Sequence, residues 1–306
     1  MRTWILALAL CACGKSSNEK KSDKPDIEKP ADKPAAKKPA ADLFPGPKVS
    51  LPTLVAKLAL DMPEADAKAA APDLFAAKYG WKPAEYDGVE IAAQIEKGRL
   101  FQIRVEIKEP IETVKGWLSK KWFAPRETKN SIGDPILYFD SPDVGLRATL
   151  EKSATNSMVR YYRVMSLEQL LGKDGKQWGF EKTPLIGMSQ DDLMKTYADF
   201  RPLPRENDPT AIILQMPPVP TSDYGSSVDA RVKDGKVTGY TMSVSTGGDA
   251  AADTAFVARL EQMFGKGKLD SNQLYTDFPG PPKAKAEIRK DSASFTHTIW
   301  VGDYKK

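Results

Sequence analysis

The stretch VEIAAQIEKGRLFQIRVEI, residues 89–107, decides the fold, because apolar and polar residues alternate along it on both sides of a glycine. Such alternation is typical of two β-strands joined by a tight turn. A loop of three residues, 96–98, puts every apolar side chain on one face and pairs Ile91 with Ile103. The sequence therefore predicts an antiparallel hairpin with one buried face and one polar face.

A second stretch, VDARVKDGKVTGYTMSV at residues 228–244, follows the same rule. A three-residue loop at 233–235 pairs Val228 with Tyr240 on the apolar face. We expect the polar faces of both hairpins to stay open to water or to a partner. These faces carry Glu90, Arg104 and Glu106 in the first hairpin and Asp229, Arg231 and Thr241 in the second.

The two hairpins belong to a faint internal duplication of the chain. The segments before them align as LDMPEADAKAAAPDL (60–74) and IGMSQDDLMKTYADF (186–200), so that Met62 matches Met188. Further matches keep the same order: Asp66 with Asp192, Leu137-Tyr138 with Leu274-Tyr275, and Leu150 with Ile288. The sequence therefore predicts two tandem repeats, residues 49–172 and 183–306, joined by the glycine- and charge-rich segment 172–182.

Each repeat is expected to have the order α-β-β-α-β-β-β, with helices packed on one face of an antiparallel sheet, which is an α+β fold. Pro63 falls in the first turn of one opening helix, and Ser189 caps the other with Asp192 three residues on. The second helices are predicted at 111–123 and 252–264, where apolar residues have helical spacing. The later strands are predicted at 135–140, 145–151, 158–165, 273–277, 283–289 and 293–301.

The N-terminus has the layout of an export signal: Arg2 precedes a short apolar run, 4–12, that is too short to span a bilayer as a helix. The residues Leu10-Cys11-Ala12-Cys13 resemble a bacterial lipobox, although Cys11 departs from the usual pattern. The resemblance implies a signal peptide at 1–12, cleavage before Cys13, and acylation of Cys13. The alternative is an ordinary secretory signal cut near Ala7-Leu8-Ala9.

Residues 13–48 are predicted to be the lipidated cysteine followed by a disordered tether. Lysine, proline, alanine and acidic residues dominate this segment, so it has too few apolar side chains to offset the entropy of ordering. Gly14 stands where an aspartate would favour the inner membrane. The resemblance therefore implies a lipid-anchored protein of the bacterial cell envelope, at the outer membrane and facing the periplasm.

Composition limits the chemistry of the chain. Both of its cysteines, Cys11 and Cys13, lie in the leader region, so no disulfide or reactive thiol is expected in the folded part. With 41% hydrophobic residues over 306 positions, the chain can build an ordinary core. The net charge of +4 is small, and no cluster of basic and aromatic residues indicates nucleic-acid binding.

The opening of the second repeat carries a family resemblance. A helix opened by Gly187-Met188-Ser189, followed by a hairpin that turns at Asp-Gly-Lys, resembles the tandem-repeat fold of the β-lactamase inhibitory protein and of the SmpA/BamE-type assembly lipoproteins. The resemblance covers 185–244 best, because Asp61 and Pro63 replace the glycine and serine in the first repeat. It implies a protein that binds other proteins and is not an enzyme.

No residue is predicted to be catalytic or to hold a cofactor or metal. The sole histidine, His297, lies in a predicted strand, where a lone histidine is usually structural. Asp191 and Asp192 fit helix capping, and Asp140 and Asp143 do not make a calcium loop with the nearby glycine. With 41 acidic residues, an envelope hydrolase with an unrecognised carboxylate pair stays open as an alternative.

Aromatic and proline-rich segments offer weaker hints. Trp117 and Trp122 have core spacing, whereas Trp81 is the best candidate for an exposed recognition aromatic, with partial burial as the plainer interpretation. The loops 216–220 and 278–282 fit rigid connectors or recognition segments. The leading prediction is a non-enzymatic envelope protein that binds another envelope protein or acts as an assembly or structural factor. A carrier of an apolar ligand between the repeats is a further alternative.

Overall fold

Two antiparallel sheets and six α-helices make up the part of the chain that the computed structural model describes, residues 36–173, 175–270, 275–288 and 296–303. The helices are α1 Glu64–Ala70, α2 Pro72–Ala76, α3 Ile111–Lys121, α4 Leu167–Leu171, α5 Gln190–Thr196 and α6 Ala250–Phe264. The predicted signal peptide, Cys13 and most of the predicted tether lie outside the described residues.

The strands form one six-stranded and one eight-stranded sheet. The first sheet contains β1 Val89–Glu96, β2 Arg99–Ile107, β3 Arg126–Lys129, β4 Pro135–Ser141, β5 Leu146–Ser153 and β6 Asn156–Arg163. The second contains β7 Leu203–Arg205, β8 Asp208–Pro218, β9 Gly225–Lys233, β10 Lys236–Ser245, β11 Lys268–Leu269, β12 Thr276–Phe278, β13 Ala284–Glu287 and β14 Thr296–Gly302. The α+β prediction is confirmed, with more strand and less helix than expected.

The strand order is β1-β2-β6-β5-β4-β3 in the first sheet and β11-β12-β13-β14-β10-β9-β8-β7 in the second. From β9 outward, β9-β10-β14-β13-β12-β11 has the same arrangement as the first sheet, and β7 and β8 lie beyond β9. The strands β3, β7, β8 and β11 and the helix α4 are additions to the predicted elements. The long strand β8 was not predicted, because it contains Pro209, Pro217 and Pro218 and proline within a run argues against a strand.

The predicted register of both hairpins is wrong by two residues. Ile91 pairs with Val105 rather than with Ile103. Likewise Val228 pairs with Met242 rather than with Tyr240. A shift of two residues keeps the side chains beyond the turn on their predicted faces, so Ile91, Ile103 and Val105 are still buried. Phe101, which the three-residue loop places on the apolar face, lies on the opposite face instead.

A tight turn with a β-bulge explains the difference in both hairpins. The loops contain two residues, Lys97-Gly98 and Asp234-Gly235, and all four have positive φ, between 50° and 75°. This is the backbone of a type I′ turn, whose twist matches that of the strands. A two-residue loop alone would mix the faces, but one extra residue, Phe101 in β2 and Thr238 in β10, restores the alternation.

Apolar residues gather in two separate cores, one between Leu43 and Tyr161 and one between Met165 and Val301. We call residues 37–164 the first half and residues 165–303 the second half; both belong to one compact unit. In the first half Val114 and Leu118 of α3 are buried, and in the second Phe256 and Leu260 of α6 are buried, as their spacing predicts. No helix among the described residues is long and apolar enough to cross a membrane.

The structure corrects two predicted boundaries. Leu43 and Phe44 are fully buried in the first core, so the packed region begins before residue 49 and the tether cannot extend to residue 48. The predicted joint 172–182 is not a simple linker, because Trp178 is fully buried in the second core and lies 6.2 Å from the ring of Phe256. Both errors arise where a few apolar residues sit among charges, prolines and glycines.

The helix starts agree with the sequence in part. Ser189 caps α5 by accepting the backbone N–H of Asp192 at 3.1 Å, as predicted. The Ser189 hydroxyl donates to the Asp192 carboxylate at 2.7 Å, so the reciprocal half of a capping box is not formed. Pro63 is the N-cap residue of α1 rather than a residue of its first turn.

Glu181 is a carboxylic acid buried in the second half beside Trp178. Its carboxylate accepts the backbone N–H of Trp178 at 2.9 Å and that of Leu185 at 3.4 Å. No cation pairs with it in the ion pairs found among the described residues. Burial therefore raises the pKa of the Glu181 carboxyl above its ordinary value, against the opposing effect of these hydrogen bonds.

We predict that Glu181 destabilises the fold as pH rises. Because its pKa is higher in the folded state, its contribution is most favourable below pH 4.5 and declines as the pH rises through the folded pKa. Relative to wild type, Glu181→Gln should gain free energy of unfolding between pH 5 and pH 8, measured by urea unfolding. Glu206→Gln, at an exposed carboxylate, is the control. A wild-type-to-variant difference that does not change with pH would contradict the prediction.

Candidate functional site

A groove of about 580 Å³ lies between the two halves and is lined by both of them. The first half contributes Asp61, Phe101, Tyr138, Arg147, Thr149, Glu151, Tyr162 and Arg163. The second half contributes Asp199, Arg201, residues 215–218, Asp223 and residues 225–227. The volume is within the usual range of ligand pockets, so this groove is the candidate site.

Strand alternation places the polar and aromatic residues of the first half in the groove. On β4 and β5, Tyr138 and Thr149 alternate with core residues such as Leu137 and Leu150. Phe101 joins this face because it is the extra residue of the β2 bulge, and its ring contacts that of Tyr162 at 6.3 Å. The groove therefore lies against the sheet face opposite the first core.

Arg147 of β5 holds the two halves together at the groove. Its side chain is 2% exposed and forms two hydrogen bonds with the Asp140 carboxylate, at 2.6 and 3.2 Å. The same guanidinium donates to the carbonyl oxygens of Val219, at 3.1 Å, and Ser222, at 2.8 Å. A guanidinium suits this place because its fixed donors can satisfy a carboxylate and two carbonyls at once.

Asp61 forms a second connection between the halves. One oxygen of its carboxylate accepts a hydrogen bond from Arg201 of the second half at 2.7 Å, and the other accepts one from Arg163 of the first half. Arg163 also donates to the carbonyl oxygen of Asp199 in the second half at 2.8 Å. Two arginines therefore converge on one buried carboxylate at the wall of the groove.

Arginines also stack on the aromatic rings of the site. The guanidinium carbon of Arg126 lies 4.3 Å from the centre of the Tyr138 ring, and that of Arg201 lies 4.4 Å from the centre of the Phe101 ring. Such cation–π contacts hold the guanidinium groups in fixed positions. Burial raises the pKa of the Tyr162 phenol above its ordinary value.

Every carboxylate that lines the groove has a cationic partner. Glu151 pairs with Arg160 at 2.7 Å, and Asp223 pairs with Arg126 at 2.8 Å. Asp199 pairs with Lys182 at 3.0 Å. Together with the pairs of Asp61, these contacts leave the groove close to neutral and its acidic groups engaged.

The residues that the sequence singled out lie elsewhere, and most of them have structural contacts. His297 is fully buried in β14, with its Nε2 2.6 Å from Asp253 Oδ1 and its ring stacked on Phe256. Asp140 pairs with Arg147, and Asp143 pairs with Lys48. No group of three or more potential ligands among the described residues could hold a metal ion.

The tryptophan predictions agree with the structure. Trp122 is buried in the first core and Trp117 is partly buried against it. Trp81 is partly buried on the same core, and its backbone pairs with Ile91, which supports the plainer interpretation. Of the predicted loop 216–220, residues 216–218 line the groove, but they form the end of β8.

Sequence reasoning missed the arginines and Asp61, which define the site. One available signal was the replacement of Gly187 by Asp61 at matching positions of the two segments. Comparisons with protein-family models, with curated proteins and with solved structures returned no match. The interpretation of the site therefore rests on its geometry.

We predict that Arg147→Ala lowers the free energy of unfolding by about 3–5 kcal/mol, since it leaves the Asp140 charge buried without its partner. The measurement is equilibrium unfolding in urea. The matched control is Arg205→Ala, because Arg205 forms an exposed ion pair with Asp229 that is expected to contribute about 1 kcal/mol or less. Equal losses in the two variants would contradict the prediction that Arg147 stabilises the fold more than an exposed ion pair does.

Proposed function

We propose that this protein is a non-enzymatic lipoprotein of the bacterial cell envelope that binds another envelope protein in its groove, or acts as an assembly or structural factor through that contact. The observation that carries the proposal is the composition of the groove. Of the 45 basic residues in the chain, 33 are lysine and 12 are arginine. Yet the described lining contains Arg147, Arg163 and Arg201 and no lysine.

This composition favours a protein partner. Interface cores are enriched in arginine, tyrosine, phenylalanine and methionine and depleted of lysine. Arginine is favoured over lysine because its planar guanidinium makes several hydrogen bonds at once and stacks on aromatic rings. The groove combines its arginines with Phe101, Tyr138, Tyr162 and Met216. The carboxylates of the groove are paired with cations, which gives no support to the hydrolase alternative. The charged side chains that line the groove give no support to the carrier of an apolar ligand.

We propose further that the halves are tandem repeats, as in the fold of the β-lactamase inhibitory protein and the SmpA/BamE-type lipoproteins. The shared strand order and the bulge three residues after each hairpin glycine support this. So do matching backbone hydrogen bonds: Leu100 to Met62 and Val237 to Met188, both at 2.9 Å. Proteins with that fold bind other proteins, which agrees with the proposed role.

Photo-crosslinking in intact cells tests the partner proposal. A photoreactive amino acid at Tyr162, inside the groove, should form a discrete adduct with an envelope protein. The same group at Tyr79, whose side chain is 79% exposed outside the groove, is the control. Absence of a Tyr162 adduct, or the same adducts from both positions, would contradict binding in the groove.

The membrane association is proposed to depend on lipid attached to Cys13. Multiple acyl chains anchor a protein stably, since each buried methylene contributes about 0.8 kcal/mol. Cys13→Ala should therefore be released to the soluble periplasmic fraction or remain unprocessed, as judged by cell fractionation and by mass spectrometry of the N-terminus. A wild-type protein that is soluble and carries no lipid would contradict the proposal.

A further inference from the structure

Asp61 occupies a position whose backbone suits glycine. Its φ is 68°, in the left-handed region, and the matching residue of the second half, Gly187, has φ 92°. The two backbones make the same contact. The backbone N–H of Asp61 donates to the carbonyl oxygen of Leu100, and that of Gly187 donates to the carbonyl oxygen of Val237, both at 2.8 Å. Glycine would therefore meet the need of the fold more easily than aspartate. Aspartate also tolerates this backbone, and its side chain adds contacts with Arg163 and Arg201 that glycine cannot make.

Arg201, which pairs with Asp61, also has a left-handed backbone. Arg201 has φ 50°, and the other non-glycine residues with positive φ among those described lie in β-hairpin turns: Lys97, Ala154 and Asp234. Asp61 and Arg201 are thus the two outside such turns, and they form an ion pair with each other at the groove. Strain of this kind persists where the surroundings hold it and is typical of ligand-binding sites.

The two arginines that contact Asp61 have supports that do not involve it. Arg163 donates to the carbonyl of Asp199 at 2.8 Å and lies over the ring of Phe200. Arg201 stacks on Phe101 and lies 3.5 Å from the Glu96 carboxylate. Both guanidinium groups can therefore keep their positions when the Asp61 carboxylate withdraws.

We propose that Arg163 and Arg201 form a receptor for a carboxylate of the bound protein, and that the Asp61 carboxylate fills this receptor while the groove is empty. This inference rests on the proposed protein-binding function and names the chemistry of the contact. Two arginines that bind the two oxygens of one carboxylate form charge-assisted hydrogen bonds, which are stronger than hydrogen bonds between neutral groups. A carboxylate of the partner takes the place of the Asp61 carboxylate on the two arginines. It belongs to an aspartate or glutamate side chain or to the end of the partner's chain.

The test uses a small probe and the full chain. N-acetyl-aspartate N-methylamide and its asparagine counterpart are titrated against wild type and Asp61→Asn, with the arginine Nε–Hε NMR signals as the readout. Asparagine has a similar shape and tolerates the left-handed backbone, so the variant is expected to fold. The aspartate probe should bind Asp61→Asn at least tenfold more tightly than wild type and shift the signals of Arg163 and Arg201.

Asp223→Asn is the matched control, because it removes a groove carboxylate that pairs with the single arginine Arg126. Three outcomes would overturn the receptor. The aspartate probe could bind wild type and Asp61→Asn with equal affinity, or Asp61→Asn could bind the two probes with equal affinity. Asp223→Asn could also gain as much affinity for the aspartate probe as Asp61→Asn does. Should Asp61→Asn fail to fold, Asp61→Gly takes its place, because glycine already serves the matching position.

Crosslinking separates the failure of this inference from the failure of the proposed function. Protein adducts at Tyr162 without tighter binding of the aspartate probe would leave the protein-binding function standing and overturn the receptor. Tighter probe binding without any adduct at Tyr162 would support the carboxylate receptor and contradict a protein partner in the groove.

Discussion

The buried guanidinium of Arg147 is the interaction on which the arrangement of the two halves depends. Taking this charge out of water is costly unless its donors are satisfied, and here a carboxylate of the same sheet and two carbonyls of the other half satisfy them. A contact of this kind is directional, since a planar group fixes both distance and angle. Arg147 thereby sets where the loop 219–222 lies and, with it, one wall of the groove.

The contact between the halves differs from the cores on either side of it. Each core is built from aliphatic and aromatic side chains, whereas the contacts across the groove are mostly arginines with carboxylates, carbonyls and rings. Interfaces of this polar type between parts of one chain usually permit some relative motion. Movement of one half against the other would therefore change these ion pairs without disturbing the packing of either core.

How far the sequence predicts the structure is clearest in the two hairpins. The alternation in residues 89–107 correctly identified the buried face, because side chains alternate with a period of two along any strand. It did not identify the register, because a two-residue loop with a bulge gives the same faces as a three-residue loop. The site was not predicted, because Asp61, Arg147 and Arg201 are far apart in the chain. The sequence around each of them contains no catalytic or binding motif.

The sequence by itself determined the α+β class, the helices α3 and α6, the cap of α5 and the identity of the apolar faces, since all of these follow from local periodicity and local hydrogen bonding. Only the tertiary structure decided the register, the burial of Leu43, Phe44 and Trp178, and the convergence of Arg163 and Arg201 on Asp61. The register depends on the turn and the bulge, which the alternation does not reveal. The burial and the convergence depend on contacts between distant segments, and a periodic pattern contains no information about which distant residue comes to lie opposite. The groove is of this second kind, because neither half forms it alone.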